Sequence, residues 1–197
     1  MQRIAYIIPG NGESYTRQKG YNKIAGYFKE KGIEPRHIEI NWKKEGPINF
    51  NDYNKEFLAQ VEKIKGKKEV YVLGFSFGAV IAFLTAQKIK PTALILCSLS
   101  PYFREDMEVI KPKWKSWWNK NFVNSNYSFD EFVSKINSKT YVMVGDQEDT
   151  SVIKRAKDTK SKITDSKLVV IKNAKHKISQ KEYLEAIKKV ILRLYKT

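Results

Sequence analysis

Six short apolar, β-branched stretches recur along the chain: Arg3–Ile8, Pro35–Ile40, Val70–Leu73, Thr92–Cys97, Thr140–Val144 and Lys167–Ile171. Each reads as a strand. Between them the apolar positions change to helical spacing. Tyr21, Ile24, Ala25 and Phe28 mark a helix closed by Gly32, and Tyr53, Phe57, Val61 and Ile64 mark one ending near Gly66. Phe77–Gln87 is apolar almost all round and reads as a buried helix. A further helix is expected to start near Val152. The last has Tyr183, Leu184, Ile187, Ile191 and Leu194 inward, behind an S-x-x-E capping box at Ser179 and Glu182. Strand and helix alternate, which predicts an α/β fold. Residues Tyr102 to Asn137 break the rhythm and carry a crowd of aromatic residues instead.

Size and charge narrow the picture a little. A chain of 197 residues, 42% hydrophobic and 13% aromatic, suffices for one domain with a full core. Its single cysteine, Cys97, ends an apolar run and reads as a buried structural thiol. One cysteine rules out a disulfide framework and, without an export signal, predicts a cytoplasmic location. The first apolar run stops at Pro9-Gly10, too short for a signal core or a membrane span. The formal charge is +16, of which residues 151–197, with 14 Lys+Arg and 4 Asp+Glu, supply +10. These basic residues are dispersed and no nucleic-acid module signature accompanies them, so the expectation is a solvated basic face rather than a specific nucleic-acid partner.

Candidate chemistry centres on Gly74-Phe75-Ser76-Phe77-Gly78, a G-x-S-x-G between the third strand and the buried helix. A chain that leaves a strand and enters a helix within one residue crowds that residue's neighbours. Glycines two positions to either side remove the β-carbons that would clash and leave the serine exposed on a strained turn. The N-terminus of the following helix favours a developing oxyanion. In this context the chain resembles the α/β-hydrolases, with Ser76 in the place of their nucleophile.

The resemblance implies further assignments. Pro9-Gly10-Asn11-Gly12 stands where the family has an H-G-x-G-like loop, which makes the N–H of Asn11 or Gly12 one oxyanion donor and that of Phe77 the other. After the fifth strand comes Gly145-Asp146-Gln147-Glu148-Asp149-Thr150-Ser151-Val152. Asp149, three residues before Val152, fits the family's triad acid, with Asp146 as the alternative. Either could instead cap the helix that follows. His176, one of two histidines, lies in the loop after the last strand and completes the family order of Ser, Asp, His. The other, His37, is placed at the start of the second strand and read as structural or exposed. Handedness and family topology predict a minimal six-stranded, mainly parallel sheet of order 2-1-3-4-5-6 in a three-layer sandwich. Residues 1–197 would then form one α/β-hydrolase domain.

In the same family an insertion at residues 101–138 is a cap or lid. Trp114, Trp117 and Trp118 have spacing that lets them share a helical face among Lys111, Lys113, Lys115 and Lys120. Three roles are open to these rings: packing the lid down, lining an apolar acyl pocket, or docking on a membrane surface. Phe75, Ser100 and Tyr102 are expected beside them in the substrate pocket. The reading implied is a serine hydrolase of small esters or thioesters. Its alternative is a non-catalytic binding protein of the same fold that uses the basic surface or the tryptophan-rich lid. No metal-ligand spacing and no dinucleotide fingerprint appears, so neither metal nor cofactor is expected.

Overall fold

In the computed structural model of the chain, which describes residues 1–12, 15–42, 48–62 and 68–194, every apolar run becomes a strand. The order is β1 (Gln2–Ile8), α1 (Tyr15–Lys29), β2 (Glu34–His37), β3 (Ile48–Asn49), α2 (Phe50–Glu62), β4 (Lys68–Phe75), α3 (Phe77–Ile89) and β5 (Ala93–Cys97). There follow α4 (Pro112–Asn121), β6 (Phe122–Val123), α5 (Phe129–Val133), β7 (Lys139–Gly145), α6 (Thr150–Lys162), β8 (Ser166–Ile171) and α7 (Lys181–Arg193). Ile64 and Gly66, expected at the end of the second helix, lie outside the described residues.

Six strands form one sheet in the order β2-β1-β4-β5-β7-β8, every neighbouring pair parallel. Counted within the sheet this is the expected 2-1-3-4-5-6. Period-2 geometry divides the inner strands β1, β4, β5 and β7 between the two faces of the sheet. Ile4, Tyr6 and Ile8 of β1 join a core with Phe57 of α2 and Phe83 of α3, while Ala5 and Ile7 join Phe28 of α1 and Ile187 of α7. Val142 and Val144 of β7 pack on Val152 and Ala156 of α6. Helices therefore cover both faces in a three-layer α/β arrangement, and parallel strands end together at one rim.

Three local expectations change. β2 is shorter than read, and its pairing ends at Ile7↔His37, just before Pro9 turns β1 out of the sheet. His37 is exposed, as expected, but closes the strand rather than opening it. The capping box does not form either. α7 is capped at Gln180 without a side-chain bond, and Ser179 packs instead against Gly20 of α1, where a β-carbon would stand 3.0 Å from its Cα. The third change is a two-residue parallel ladder, β3 with β6, that no apolar run announced.

The aromatic stretch between β5 and β7 holds α4, β6 and α5, pinned from below. Arg155 of α6 is buried with Asp106, its Nε 3.1 and 3.2 Å from the two carboxylate oxygens, and its guanidinium lies 3.8 Å from the centre of the Phe129 ring. Burial raises the Asp106 carboxyl pKa while the arginine opposes it. A buried charge kept this way needs its partner, so the pair fixes the stretch to the sheet's covering helix.

Candidate active site

The turn between β4 and α3 is set by backbone contact. A β-carbon on Gly74 would lie 2.2 Å from the Gly78 carbonyl oxygen, and one on Gly78 would lie 2.3 Å from the carbonyl oxygen of Ile8. No side chain can be admitted, so the helix starts against the ends of β4 and β1. Ser76 takes the strain, with φ 56° and ψ −119°, a conformation that L-residues seldom adopt. Its N–H donates to the Cys97 carbonyl at 2.9 Å. Phe77 opens α3, so its N–H has no intrahelical acceptor.

Ser76 Oγ stands 3.0 Å from His176 Nε2 and 3.2 Å from Ser100 Oγ. On its other side, His176 Nδ1 is 2.7 Å from Glu148 Oε2. An ionised carboxylate can only accept, so with Glu148 ionised Nδ1 carries the imidazole proton and Nε2 offers a lone pair to the serine hydroxyl. The histidine loop is seated by a third close approach. A β-carbon on Gly145 would meet the Ala174 carbonyl oxygen at 2.2 Å, and Gln147 N–H donates to that oxygen at 3.0 Å. The imidazole also rests on Phe75, ring centres 4.9 Å apart.

The histidine's partner is a correction. Asp149, with Asp146 as alternative, was expected there, and neither is. Asp149 caps α6, accepting from Ser151 N–H at 3.1 Å and Ser151 Oγ at 2.8 Å, and its other oxygen is paired with Lys111. The Lys111 bond holds its carboxyl down to about 2. Asp146 is exposed, and its N–H donates to Ile171 O at 3.0 Å. Glu148, with one more methylene and a position one residue nearer the strand, reaches the imidazole. Its side chain is fully buried whereas that of His176 is 39% exposed. Oε1 accepts from Gly145 N–H and from Ser98 Oγ, each at 2.8 Å. Tyr183 OH lies 3.3 Å from the same oxygen and 2.6 Å from Ser98 Oγ. Burial and the Glu148 charge raise the tyrosine pKa well above its ordinary value. The clue present in the sequence was the helix start itself. Asp149-Thr150-Ser151 is good N-cap chemistry, which leaves Asp146 and Glu148 as the loop's unclaimed acids.

Above Ser76 opens a cleft of about 410 Å3, lined by Asn11, Phe77, Ser100, Tyr102, Ile110, Trp114, Trp117, Val152 and His176 among others. Trp117 stacks on Phe77 at 5.9 Å and 24°, with Tyr102 edge-on to Phe77 at 5.4 Å. Of the expected lining, Ser100, Tyr102, Trp114 and Trp117 are present. Phe75 is buried beneath the imidazole. Trp118 is buried too, stacked between Tyr102 at 4.6 Å and Phe122 at 4.3 Å. The three tryptophans divide by depth, from 5% exposure at Trp118 to 43% at Trp114, because the face they share is inclined to the core. Gly12 does not reach the cleft wall, whereas Asn11 does.

Among the described residues, no group of three or more His, Cys, Asp and Glu side chains gathers as a metal site would require, and no helix is long and apolar enough to cross a membrane.

No family model matches the sequence, and no curated protein does. Solved structures do match. Est1E from Butyrivibrio proteoclasticus superposes with a TM-score of 0.76 at 16% identity, covering 100% of this chain and 89% of its own. MGS-MChE2, an alpha/beta hydrolase enzyme from the metagenome of lagoon sediments at Mar Chica, Morocco, gives 0.75 at 19% identity, covering 100% and 91%. A predicted CIB-like hydrolase from Thermoplasma acidophilum gives 0.66 at 15%, covering 98% and 86%. At such identities the likeness is one of fold, and the fold is α/β-hydrolase-like.

Proposed function

We propose that the chain is a serine hydrolase of small carboxylic esters or thioesters, with Ser76 as nucleophile, His176 as general base and Glu148 as the acid. The observation that carries this reading is the continuous line from Ser76 Oγ through His176 to a buried carboxylate, at 3.0 and 2.7 Å. In this reading, His176 Nε2 takes the Ser76 proton as Oγ forms its bond to the substrate carbonyl carbon. Glu148 holds the imidazole in its Nδ1–H form and stabilises the imidazolium that results. The oxyanion is received by the N–H of Phe77 and that of Asn11, which is preferred to Gly12 because it lines the cleft. Each such donor is typically worth about 3 kcal/mol in the transition state. As the tetrahedral intermediate collapses, the bond to the leaving alkoxide or thiolate breaks, and the proton on Nε2 goes to it. Water, deprotonated by the same nitrogen, then releases the acid and restores Ser76.

Residues 101–138 act as the lid in this reading, within a single domain of residues 1–197. Trp117, Tyr102, Ile110 and Val152 offer an apolar wall to the acyl group. Planar, conjugated acyl groups suit stacked rings. Est1E, similar in fold, is known with ferulic acid bound.

The test is intact-mass measurement after treatment with a fluorophosphonate ester. One adduct on the wild type and none on Ser76→Ala is the expected result. A folded wild-type protein that takes up no adduct would argue against an activated serine and for the binding-protein alternative.

A further inference from the structure

Glu148 is held by more than its own loop. Ser98 lies at the carboxyl end of β5, in the left-handed region at φ 50°, with its N–H donating to Met143 O at 2.8 Å. That backbone aims Ser98 Oγ at Glu148 Oε1, 2.8 Å away. Behind it, on α7, Tyr183 brings its hydroxyl to 2.6 Å from Ser98 Oγ. Ser98 and Tyr183 are both fully buried. A hydroxyl has one proton and accepts as well. One arrangement satisfies the short contacts together: Tyr183 donates to Ser98, and Ser98 donates to the carboxylate.

We propose that Ser98 and Tyr183 are positioning residues that hold Glu148 ionised and aligned on His176, Tyr183 acting through Ser98. The inference rests on the triad reading above and extends it to a helix, α7, that contributes nothing to the cleft wall. Donors directed at a carboxylate favour its charged form, and their positive ends oppose the neighbouring imidazolium. Without them Glu148 becomes more basic, attracts the Nδ1 proton more strongly, and raises the pH at which His176 loses its charge. Of the other titratable groups, Cys97 on β5 is buried within reach of the Glu148 charge, Lys175 and Lys177 flank His176 in sequence and are exposed, and in the acid loop Asp146 is exposed and Asp149 is paired with Lys111.

The experiment is the pH dependence of kcat/KM for p-nitrophenyl acetate in wild type, Tyr183→Phe, Ser98→Ala and the double variant, with Glu148→Gln alongside. Phenylalanine keeps the ring that meets Phe75 edge-on at 6.0 Å, so Tyr183→Phe is expected to fold. Ser98→Ala interrogates the same bond should it not. Both single variants should lose roughly tenfold at neutral pH and move the acid limb upward by at least about 0.5 in pH. The double variant should resemble Ser98→Ala within about twofold, since Tyr183 acts through that hydroxyl. Loss at all pH values with an unmoved acid limb, or losses that multiply in the double variant, would overturn the positioning role. If Glu148→Gln retains wild-type activity, the triad reading falls and this inference with it. If Glu148→Gln is crippled while the single variants keep the wild-type profile, the positioning inference alone fails.

Discussion

Ser76 and Glu148 stand on either side of one imidazole and are held by different means. At the elbow the constraint is backbone against backbone: Gly74 against the Gly78 carbonyl, Gly78 against the Ile8 carbonyl, with the strain kept at Ser76. The three nearest atoms that a β-carbon on either of these two glycines would meet are all backbone. At the acid loop the carboxylate is aimed by Ser98, next after β5, and by the Gly145 N–H of β7, with Tyr183 of α7 behind Ser98. The first arrangement is rigid and local. The second is an assembled network whose worth depends on every member being satisfied. Two neighbouring acids show the consequence. Glu148 is buried at the imidazole, whereas Asp149, one residue on, lies at the cleft wall, where it caps α6 and pairs with Lys111.

The comparison is broken most severely at the elbow. Gly74→Ala forces a β-carbon to 2.2 Å from a backbone oxygen that cannot yield, and should cost more than about 4 kcal/mol or prevent folding, read by thermal or denaturant unfolding. A variant of wild-type stability would mean the turn is not closed as described. Next in size, Glu148→Gln should lower kcat/KM by about 10²- to 10⁴-fold with little change in the thermal midpoint, and Asp149→Asn by less than about threefold. The reverse order would return the acid role to Asp149. A smaller effect is expected at the cleft wall. Trp117→Ala opens the stack on Phe77 and should change the preference for acyl length by up to about tenfold while p-nitrophenyl acetate is hydrolysed nearly as before. A uniform loss across acyl groups would make the ring a packing element alone.

The smallest effect belongs to Asp149 and sharpens the contrast between the two acids. Its carboxyl titrates at about 2, chiefly because of the Lys111 bond, below the ordinary value of about 3.9 in an unfolded chain. A folded pKa that is depressed stabilises the protein above the unfolded value, and the contribution disappears as pH falls through about 2. Asp149→Asn should therefore lower the thermal midpoint slightly at pH 7, and the difference should shrink as pH falls from about 4 towards 2. A difference that does not shrink over that range would show that the carboxylate's charge is not its source, since asparagine keeps the cap nearly as well.

Much of this site was legible before any contact was known. G-x-S-x-G between a strand and a buried helix is a pattern of small residues, and the clashes at Gly74 and Gly78 are its physical content. His176 was legible from its place after the last strand, and Trp117 and Tyr102 from the crowd of rings in 101–138. Trp118 and Phe75 were misplaced because helical or strand spacing says which face a ring shares, not how that face is inclined to the cleft. The β3–β6 ladder left no pattern, since two residues are too few for a period.

By itself, then, the sequence determined what depends on neighbours along the chain: six apolar strands, their alternation with helices, the turn that exposes Ser76, and the loop that presents His176. Only the tertiary structure decided what depends on residues far apart in sequence. Glu148 rather than Asp149 meets the imidazole, its carboxylate received in the core by Ser98, 50 positions before, with Tyr183, 35 positions after, behind that serine. Asp149 is held at the cleft wall by Lys111, 38 positions earlier, away from the imidazole. Spacing within a loop orders its carboxylates along the chain, but the burial and partners that choose between them are properties of the folded neighbourhood.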